Sequence, residues 1–276
     1  MPILLFRIFF VFFYLAITAN IAHSFDSNWI KLDAGMEFAE FEALADSTGD
    51  NVKISALRVN PTNYELKLFT IADLGGMSMS AKEWAKKYKL LAVTNAGMYQ
   101  EDGKTNVGFM KSKGHVLNSR ISKAYKTMLV LEPKDKNDRE FQIIDMECEK
   151  DDKKIDRYMT VIQNIRMINC NQENVWTPQS NSWSVAALGM DKSGNILFLM
   201  SVTPLSVHDF IKILLQLPLK IHVAMYLEGG KQASLYINAG GREIERAGNV
   251  GVNLSSKNTG DPFWPIPNVL GLVKKK

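Results

Sequence analysis

The alternation of hydrophobic and polar residues along the chain predicts mostly β-structure. Apolar and polar residues alternate over residues 64–70, the period of a half-buried strand. An apolar run over residues 90–94 leads into Asn95 and is typical of a buried strand. Polar turns containing glycine predict two hairpins, one across residues 112–114 and one across residues 191–194.

Two helices interrupt this pattern, and both begin at a serine. Residues 80–83 have the spacing of a capping box, and the apolar positions that follow fall on one helix face. Ser206 opens a second helix, whose apolar stripe ends at Pro218. The apolar residues 221–227 then predict a buried strand that ends at Glu228.

The chain shows neither a long linker rich in Pro, Gly or Ser nor an internal repeat. Its 276 residues are enough for one large domain with a real core. We therefore predict an α+β fold, a single mixed, largely antiparallel β-sheet domain with packed helices over residues 25–276.

The N-terminus resembles a secretory signal. Residues 3–16 are an almost unbroken apolar run interrupted by Arg7, and small residues follow at positions 22–24. This predicts a signal peptide over residues 1–24, cleaved so that the mature protein begins at Phe25 and is secreted or periplasmic. The alternative is an uncleaved membrane anchor, which would need about 20 apolar residues.

Composition narrows the function classes. With 46% hydrophobic and 22% charged residues, the chain is an ordinary globular protein. Its 33 basic and 29 acidic residues are interspersed, which argues against a nucleic-acid partner. After signal cleavage we expect no stable membrane insertion, and the composition leaves the oligomeric state open.

The chain has two cysteines, Cys148 and Cys170. Export to an oxidising compartment predicts a disulfide between them, with two buried free thiols as the alternative. A zinc site is disfavoured because the sequence has neither CxxC nor HxxxH spacing beside them.

Three segments share one design, a strand-like run that stops at polar residues beside a tight turn. They are residues 95–99 (Asn-Ala-Gly-Met-Tyr), residues 163–168 (Gln-Asn-Ile-Arg-Met-Ile) and residues 226–230 (Tyr-Leu-Glu-Gly-Gly). Glycines next to Asn or Glu let a ligand approach the backbone closely. Each turn alone is more often structural than functional.

Together and in this order, the three segments resemble the phosphodiester glycosidase family. The resemblance covers roughly residues 71–272 and includes the hairpin and helix that precede the acidic turn. It implies an exported glycosidase that hydrolyses a sugar phosphodiester, a glycosyl-1-phosphate linkage, in an envelope or extracellular glycan, and it implies no metal and no cofactor. The residues carried over as catalytic are Glu228, Asn95 and Gln163. Those carried over as substrate-binding are Gly97, Tyr99, Arg166, Gly229, Gly230, Trp183 and Asp209.

The sequence departs from the family pattern at four places. Ala96 stands where the family has glycine, and Glu228 stands where it has aspartate. The arginine that usually begins the hairpin strand is missing at residues 183–185, and Arg166 replaces a small residue or proline. We therefore predict that Arg166 binds the substrate phosphate rather than making a structural ion pair.

Glu228 is the predicted nucleophile or charge stabiliser at the anomeric centre. We expect backbone N–H groups or Arg166 to hold its pKa down. The candidates for a second carboxylate are Asp209, Asp102 and Glu101.

Two alternatives from other classes stay open. One is a glycan-binding protein that keeps the fold without the reaction. The other is a metal-assisted hydrolase, which would need two of His115, His208 and His222 to converge with Glu228.

Overall fold

A computed structural model describes residues 29–46, 49–149, 151, 153–249 and 262–275. The predicted signal peptide and its cleavage site therefore lie outside the described residues. Within the described part of the chain, no helix is both long and apolar enough to cross a bilayer.

The strands form three sheets, and every strand pair among the described residues is antiparallel. The first sheet has seven strands in the order β1-β2-β3-β13-β12-β14-β11. Their bounds are β1 Ile30–Asp33, β2 Met36–Leu44, β3 Asn51–Val59, β11 Arg166–Ile168, β12 Trp183–Asp191, β13 Ile196–Leu205 and β14 Ile221–Gly229.

The other two sheets have five strands each, in the orders β7-β6-β10-β8-β9 and β16-β15-β5-β17-β4. The first comprises β6 Met110–Ser112, β7 His115–Asn118, β8 Thr127–Pro133, β9 Phe141–Asp145 and β10 Tyr158–Asn164. The second comprises β4 Tyr64–Thr70, β5 Ala92–Asn95, β15 Ser234–Ala239, β16 Arg242–Ala247 and β17 Asn268–Lys274.

The helices are few and short: α1 Ile71–Leu74, α2 Ala81–Tyr88 and α3 Val207–Gln216. Ser80 caps α2 in the predicted capping box with Glu83, and Ser206 caps α3. Both helices, both predicted hairpins and the strand that ends at Glu228 are confirmed.

The main core lies where the three sheets meet. Leu188 from the seven-stranded sheet, Leu129 from the second sheet and Leu270 from the third belong to one buried cluster. The opposite face of the seven-stranded sheet is covered by α3 through Phe210, while α2 covers the third sheet through Trp84. The prediction of largely antiparallel strand pairing is confirmed. The strands are divided among three sheets, and they dominate the fold more than an α+β description suggests.

A disulfide joins Cys148 and Cys170, as predicted. It ties the segment that follows β9 to the segment that follows β11, with the two Cα atoms 6.4 Å apart. Because β9 and β11 are edge strands of two different sheets, the disulfide joins the edges of those sheets.

Candidate active site at the end of β14

Glu228 lies near the end of β14, where the pairing with β12 becomes irregular. Ala187 pairs with Tyr226, while the preceding Ala186 pairs with Glu228. Such bulges redirect side chains and are frequent beside active sites. The irregularity therefore lies at the predicted catalytic carboxylate.

The Glu228 carboxylate is largely removed from water. Desolvation raises its pKa from 4.5 to about 7, and the one hydrogen bond that opposes this comes from the Gly229 N–H, at 2.9 Å. The prediction that N–H groups or Arg166 hold this pKa down is wrong. A single N–H does not offset the burial, and the Arg166 guanidinium pairs with other carboxylates.

Two phenols flank Glu228. Burial raises the pKa of Tyr99, and the negative charge of Glu228 raises it further. Tyr226 is 5% exposed, and burial followed by the Glu228 charge raises its pKa well above the usual value. The half-buried Trp183 donates its indole N–H to the Tyr226 hydroxyl at 3.1 Å. A carboxylate between two phenols and an indole is an arrangement that can bind a sugar ring.

Gly229 and Gly230 are required for different reasons. A Cβ on Gly229 would lie within 2.5 Å of the Trp183 indole and would also collide with the Tyr226 hydroxyl. Gly230 has φ +64°, in the left-handed region that favours glycine. The space beside Gly229 is therefore filled by two aromatic side chains, not by the open room for a ligand that the sequence suggested.

Asn95 holds the turn that follows Glu228. Its side chain donates to the Gln232 carbonyl at 2.8 Å and accepts from the Ser234 N–H at 2.9 Å. Asn95 is 1% exposed and both of its amide atoms are used, so its catalytic role stays a prediction that these contacts do not support. Asn95 is a positioning residue, joining the end of β5 to the β14–β15 connection.

Gly97 packs against two asparagines that sequence reasoning missed. The side-chain N–H groups of Asn164 and Asn106 donate to the Ala96 and Gly108 carbonyls, at 2.9 and 3.1 Å, which fixes the orientation of both amides. Their oxygens point at the position where a Cβ on Gly97 would stand. Gly97 is buried and its contacts show close packing of the loop, while the substrate contact stays a prediction.

Gln163 is also structural. It is fully buried in β10, donates to the Ser122 and Tyr125 carbonyls at 2.8 Å each, and accepts from the Ser122 N–H at 2.8 Å. With no exposed surface and both amide atoms in use, the side chain has no free polar atom in this geometry. Its catalytic role stays a prediction, and the contacts show that Gln163 fixes the loop before β8.

Arg166 makes the structural ion pair that the sequence analysis argued against. Its guanidinium contacts Asp145 and Glu147, each at 2.7 Å, and its side chain is 12% exposed. The side chain of Asp145 is 2% exposed, so this carboxylate depends on the guanidinium for compensation. The prediction that Arg166 makes no ion pair is wrong. Both terminal nitrogens of its guanidinium contact carboxylates, so the pair of donors that would bind a phosphate is occupied.

The remaining carboxylate candidates belong to turns and caps. Asp209 is buried in the first turn of α3 beside its cap, Ser206. Asp102 accepts from the Thr105 hydroxyl and N–H in an exposed loop. Neither appears among the groups that shift the pKa of Glu228. Within the described ranges, Glu228 therefore stands without a second carboxylate acting on it.

The histidines do not gather around Glu228. His115 lies in β7, His208 in α3 and His222 at the start of β14. Among the described residues, one group has the spacing for a metal, Asp145 with Cys148 and Cys170, but the disulfide occupies both sulfurs. The metal-assisted alternative therefore lacks its ligand set in the described part of the chain.

The family model for phosphodiester glycosidases matches residues 88–273, about two thirds of the chain. This chain belongs to the phosphodiester glycosidase family. The match spans the loop that begins at Asn95, the Gln163 segment and the turn after Glu228, the three segments that the sequence analysis singled out. No curated protein sequence matches the chain.

Two solved structures show the same fold. One is the catalytic domain of zebrafish N-acetylglucosamine-1-phosphodiester alpha-N-acetylglucosaminidase, auto-inhibited by its pro-peptide, with a TM-score of 0.64 and 14% identity over 89% of this chain and 86% of that one. The other is a hypothetical protein from Synechocystis, with a TM-score of 0.63 and 12% identity over 90% of this chain and 64% of that one. At these identities the likeness establishes the fold alone.

Proposed function

We propose that this family member is an exported hydrolase of a glycosyl phosphodiester, with Glu228 as its catalytic base. The observation that carries the proposal is one carboxylate with a pKa near 7, desolvated between Tyr99 and Tyr226 at the end of a strand. General bases work best when their pKa lies near the operating pH. The zebrafish relative, which is named for cleaving such a linkage, supports the choice of substrate class.

The proposed reaction needs one carboxylate because phosphate is a good leaving group. Water attacks the anomeric carbon and its proton passes to a Glu228 oxygen. The bond from that carbon to the phosphate oxygen breaks, and the electron pair leaves with the phosphate. The products are the free sugar and a phosphomonoester. The ionised carboxylate also stabilises the positive charge that develops on the sugar ring.

The aromatic residues position the sugar in this proposal. Trp183 is half-buried at the start of β12 and is held by the Tyr226 hydroxyl, so its exposed edge is fixed without a ligand. Tyr99 is partly exposed and close enough to Glu228 to feel its charge. Rigid aromatic groups bind sugar rings with little loss of side-chain entropy.

Lys231 is the proposed phosphate contact, in place of Arg166. It is exposed in the short turn after Glu228, and its ammonium lies 3.6 Å above the centroid of the Trp264 ring. Among the described residues it contacts no carboxylate, so its charge is free to attract an anion. A cation–π contact orients the ammonium without neutralising it.

Export is proposed from the apolar N-terminus and the disulfide together. Disulfides form and persist mainly in oxidising compartments. The two cysteines of this chain form such a disulfide. We therefore place the protein outside the cytoplasm, in the periplasm or the medium, acting on an envelope or extracellular glycan. N-terminal sequencing of the exported protein should return Phe25, and a result of Met1 would contradict signal cleavage.

The proposal is tested by turnover of a panel of sugar phosphodiesters, with release of free sugar as the measured product. The wild type should hydrolyse at least one member, and Glu228→Gln should not. Glu42→Gln, which alters an exposed carboxylate in β2, is the matched control. If no diester is cleaved but an unmodified glycan binds in a way that depends on Glu228, the glycan-binding alternative is favoured. The absence of a second carboxylate acting on Glu228 is the observation that keeps that alternative open.

A further inference from the structure

A cavity of about 960 Å³ lies at the opposite end of β14 from Glu228. It is bounded by the start of β14, the β12–β13 turn and the Cys148–Cys170 disulfide. Glu228 lies six positions after His222, which is on the cavity wall, and this is about 20 Å at 3.3 Å per residue of strand. The cavity is therefore distinct from the proposed active site, and its volume falls in the range of small-molecule sites.

Every carboxylate on the cavity wall is already paired with a cation. The pairs are Glu140 with Lys275, Asp145 with Arg166 at 2.7 Å, Glu149 with Lys154, and Asp191 with Arg58 at 3.7 Å. The Asp191 carboxylate also accepts the N–H groups of Ser193 and Asn195. Each acid on the wall thus has a cationic partner, and two of these cations are shared, Arg58 with Glu37 and Arg166 with Glu147.

Two cations on the same wall have no such compensation. Arg139 and Lys192 are exposed, and neither forms an ion pair with a carboxylate of the described residues. Arg139 and Lys192 therefore give the cavity wall two cations that pair with no carboxylate of the described residues and can attract an anion.

The cavity also has an apolar part. Phe141 and Met190, each 5% exposed, belong to its wall and are anchored in the main core. The wall beside them is braced by Asp145, which accepts the Cys170 N–H at 3.1 Å next to the disulfide. A preformed cavity that combines apolar surface with a few cations suits a ligand with both a ring and an anionic group.

We propose that this cavity binds a phosphorylated ligand of mono- to disaccharide size, separately from Glu228. Arg139 and Lys192 contact the phosphate, since a guanidinium and an ammonium form charge-assisted hydrogen bonds with its oxygens. The apolar wall takes the ring. The site needs no turnover, so it does not depend on the proposed hydrolysis.

Calorimetric titration with a hexose 1-phosphate and with the unphosphorylated hexose tests the proposal. The wild type should bind the phosphate with the higher affinity, and the Arg139→Met/Lys192→Met double variant should bind it at least about tenfold more weakly, the scale of one lost charge-assisted hydrogen bond. Lys67→Met and Lys86→Met combined remove the same charge elsewhere and should leave the affinity unchanged. Glu228→Gln should bind as the wild type does.

Three results would overturn the proposal. They are equal affinity in the double variant and the wild type, equal affinity for the phosphorylated and unphosphorylated sugar, and no binding at about 10 mM ligand. Loss of binding in Glu228→Gln would instead assign the ligand to the proposed active site. Since both substituted positions are exposed, the variants should keep the fold, which their circular dichroism spectra would check.

Discussion

Replacing Glu228 with glutamine should make the protein less active and more stable at the same time. The variant keeps the shape of the side chain and removes its charge. We expect turnover of a glycosyl phosphodiester to fall at least about 10²-fold, the scale of losing one preorganised catalytic group. Because a base must be ionised, wild-type kcat/KM should rise with pH and level off above about 7, the pKa that desolvation gives to Glu228.

The stability change follows from the same pKa. The carboxyl pKa is about 7 in the folded protein, against an ordinary value of 4.5, so the folded state binds more protons between these values. Stability is therefore lost as pH rises from 4.5 through about 7. At about 1.4 kcal/mol per pKa unit, the full difference is about 3 kcal/mol. Partial exposure of the side chain reduces it, and we expect about 1–2 kcal/mol.

Thermal unfolding at two pH values measures this effect. At pH 8 (well above the folded pKa), Glu228→Gln should melt about 3–6 °C above the wild type, and at pH 4 the two should differ little. Glu42→Gln, at an exposed position in β2, should show no such pH-dependent gain. If Glu228→Gln melted below the wild type at pH 8, the carboxylate would be stabilised by a partner, and the desolvation argument would be refuted.

Three further predictions concern other groups. Lys231→Met should raise KM for a phosphodiester about tenfold while leaving a neutral aryl glycoside unaffected, and an equal effect on both substrates would exclude the phosphate contact. Arg166→Met should lower the free energy of unfolding by about 2–3 kcal/mol with KM unchanged, because it leaves the buried Asp145 carboxylate without its cation. A raised KM at normal stability would instead support the predicted substrate role of Arg166. Replacing Cys148 and Cys170 with serine should lower stability by about 3 kcal/mol in denaturant unfolding, since the disulfide closes a loop with a sequence separation of 22 residues; unchanged stability would mean that the loop is already ordered without it.

The local elements could be predicted from the sequence because they follow from periodicity and capping. The strand that ends at Glu228 and the helix capped by Ser206 are set by residues close to each other in the chain. Three-sheet packing is different, since an apolar strand face does not specify which other sheet covers it. The periodicity thus gave the strands, while their distribution among sheets required the tertiary structure.

The chemistry of the site depended on partners far away in the chain. Arg166 pairs with Asp145 and Glu147, about twenty residues earlier, and a sequence motif does not carry that pairing. The raised pKa of Glu228 arises from burial among side chains contributed by separate elements, including Tyr99 and Trp183. The sequence could therefore suggest which residues belong to the site. It could not predict the protonation state of Glu228 or which side chains already have all their hydrogen bonds.

The loop after β5 separates two glycine positions that the family motif treats alike. Ala96 stands at the first, is fully buried, and places its methyl group in the main core, so the replacement there adds packing without disturbing the loop. At the second, Gly97, a Cβ would collide with the Asn164 oxygen and lie 3.0 Å from that of Asn106. Since the N–H donations of both amides fix their orientation, neither oxygen can turn away. In this chain only the second position, Gly97, must be glycine. With glycine there the loop can pack closely and bring Tyr99 near Glu228.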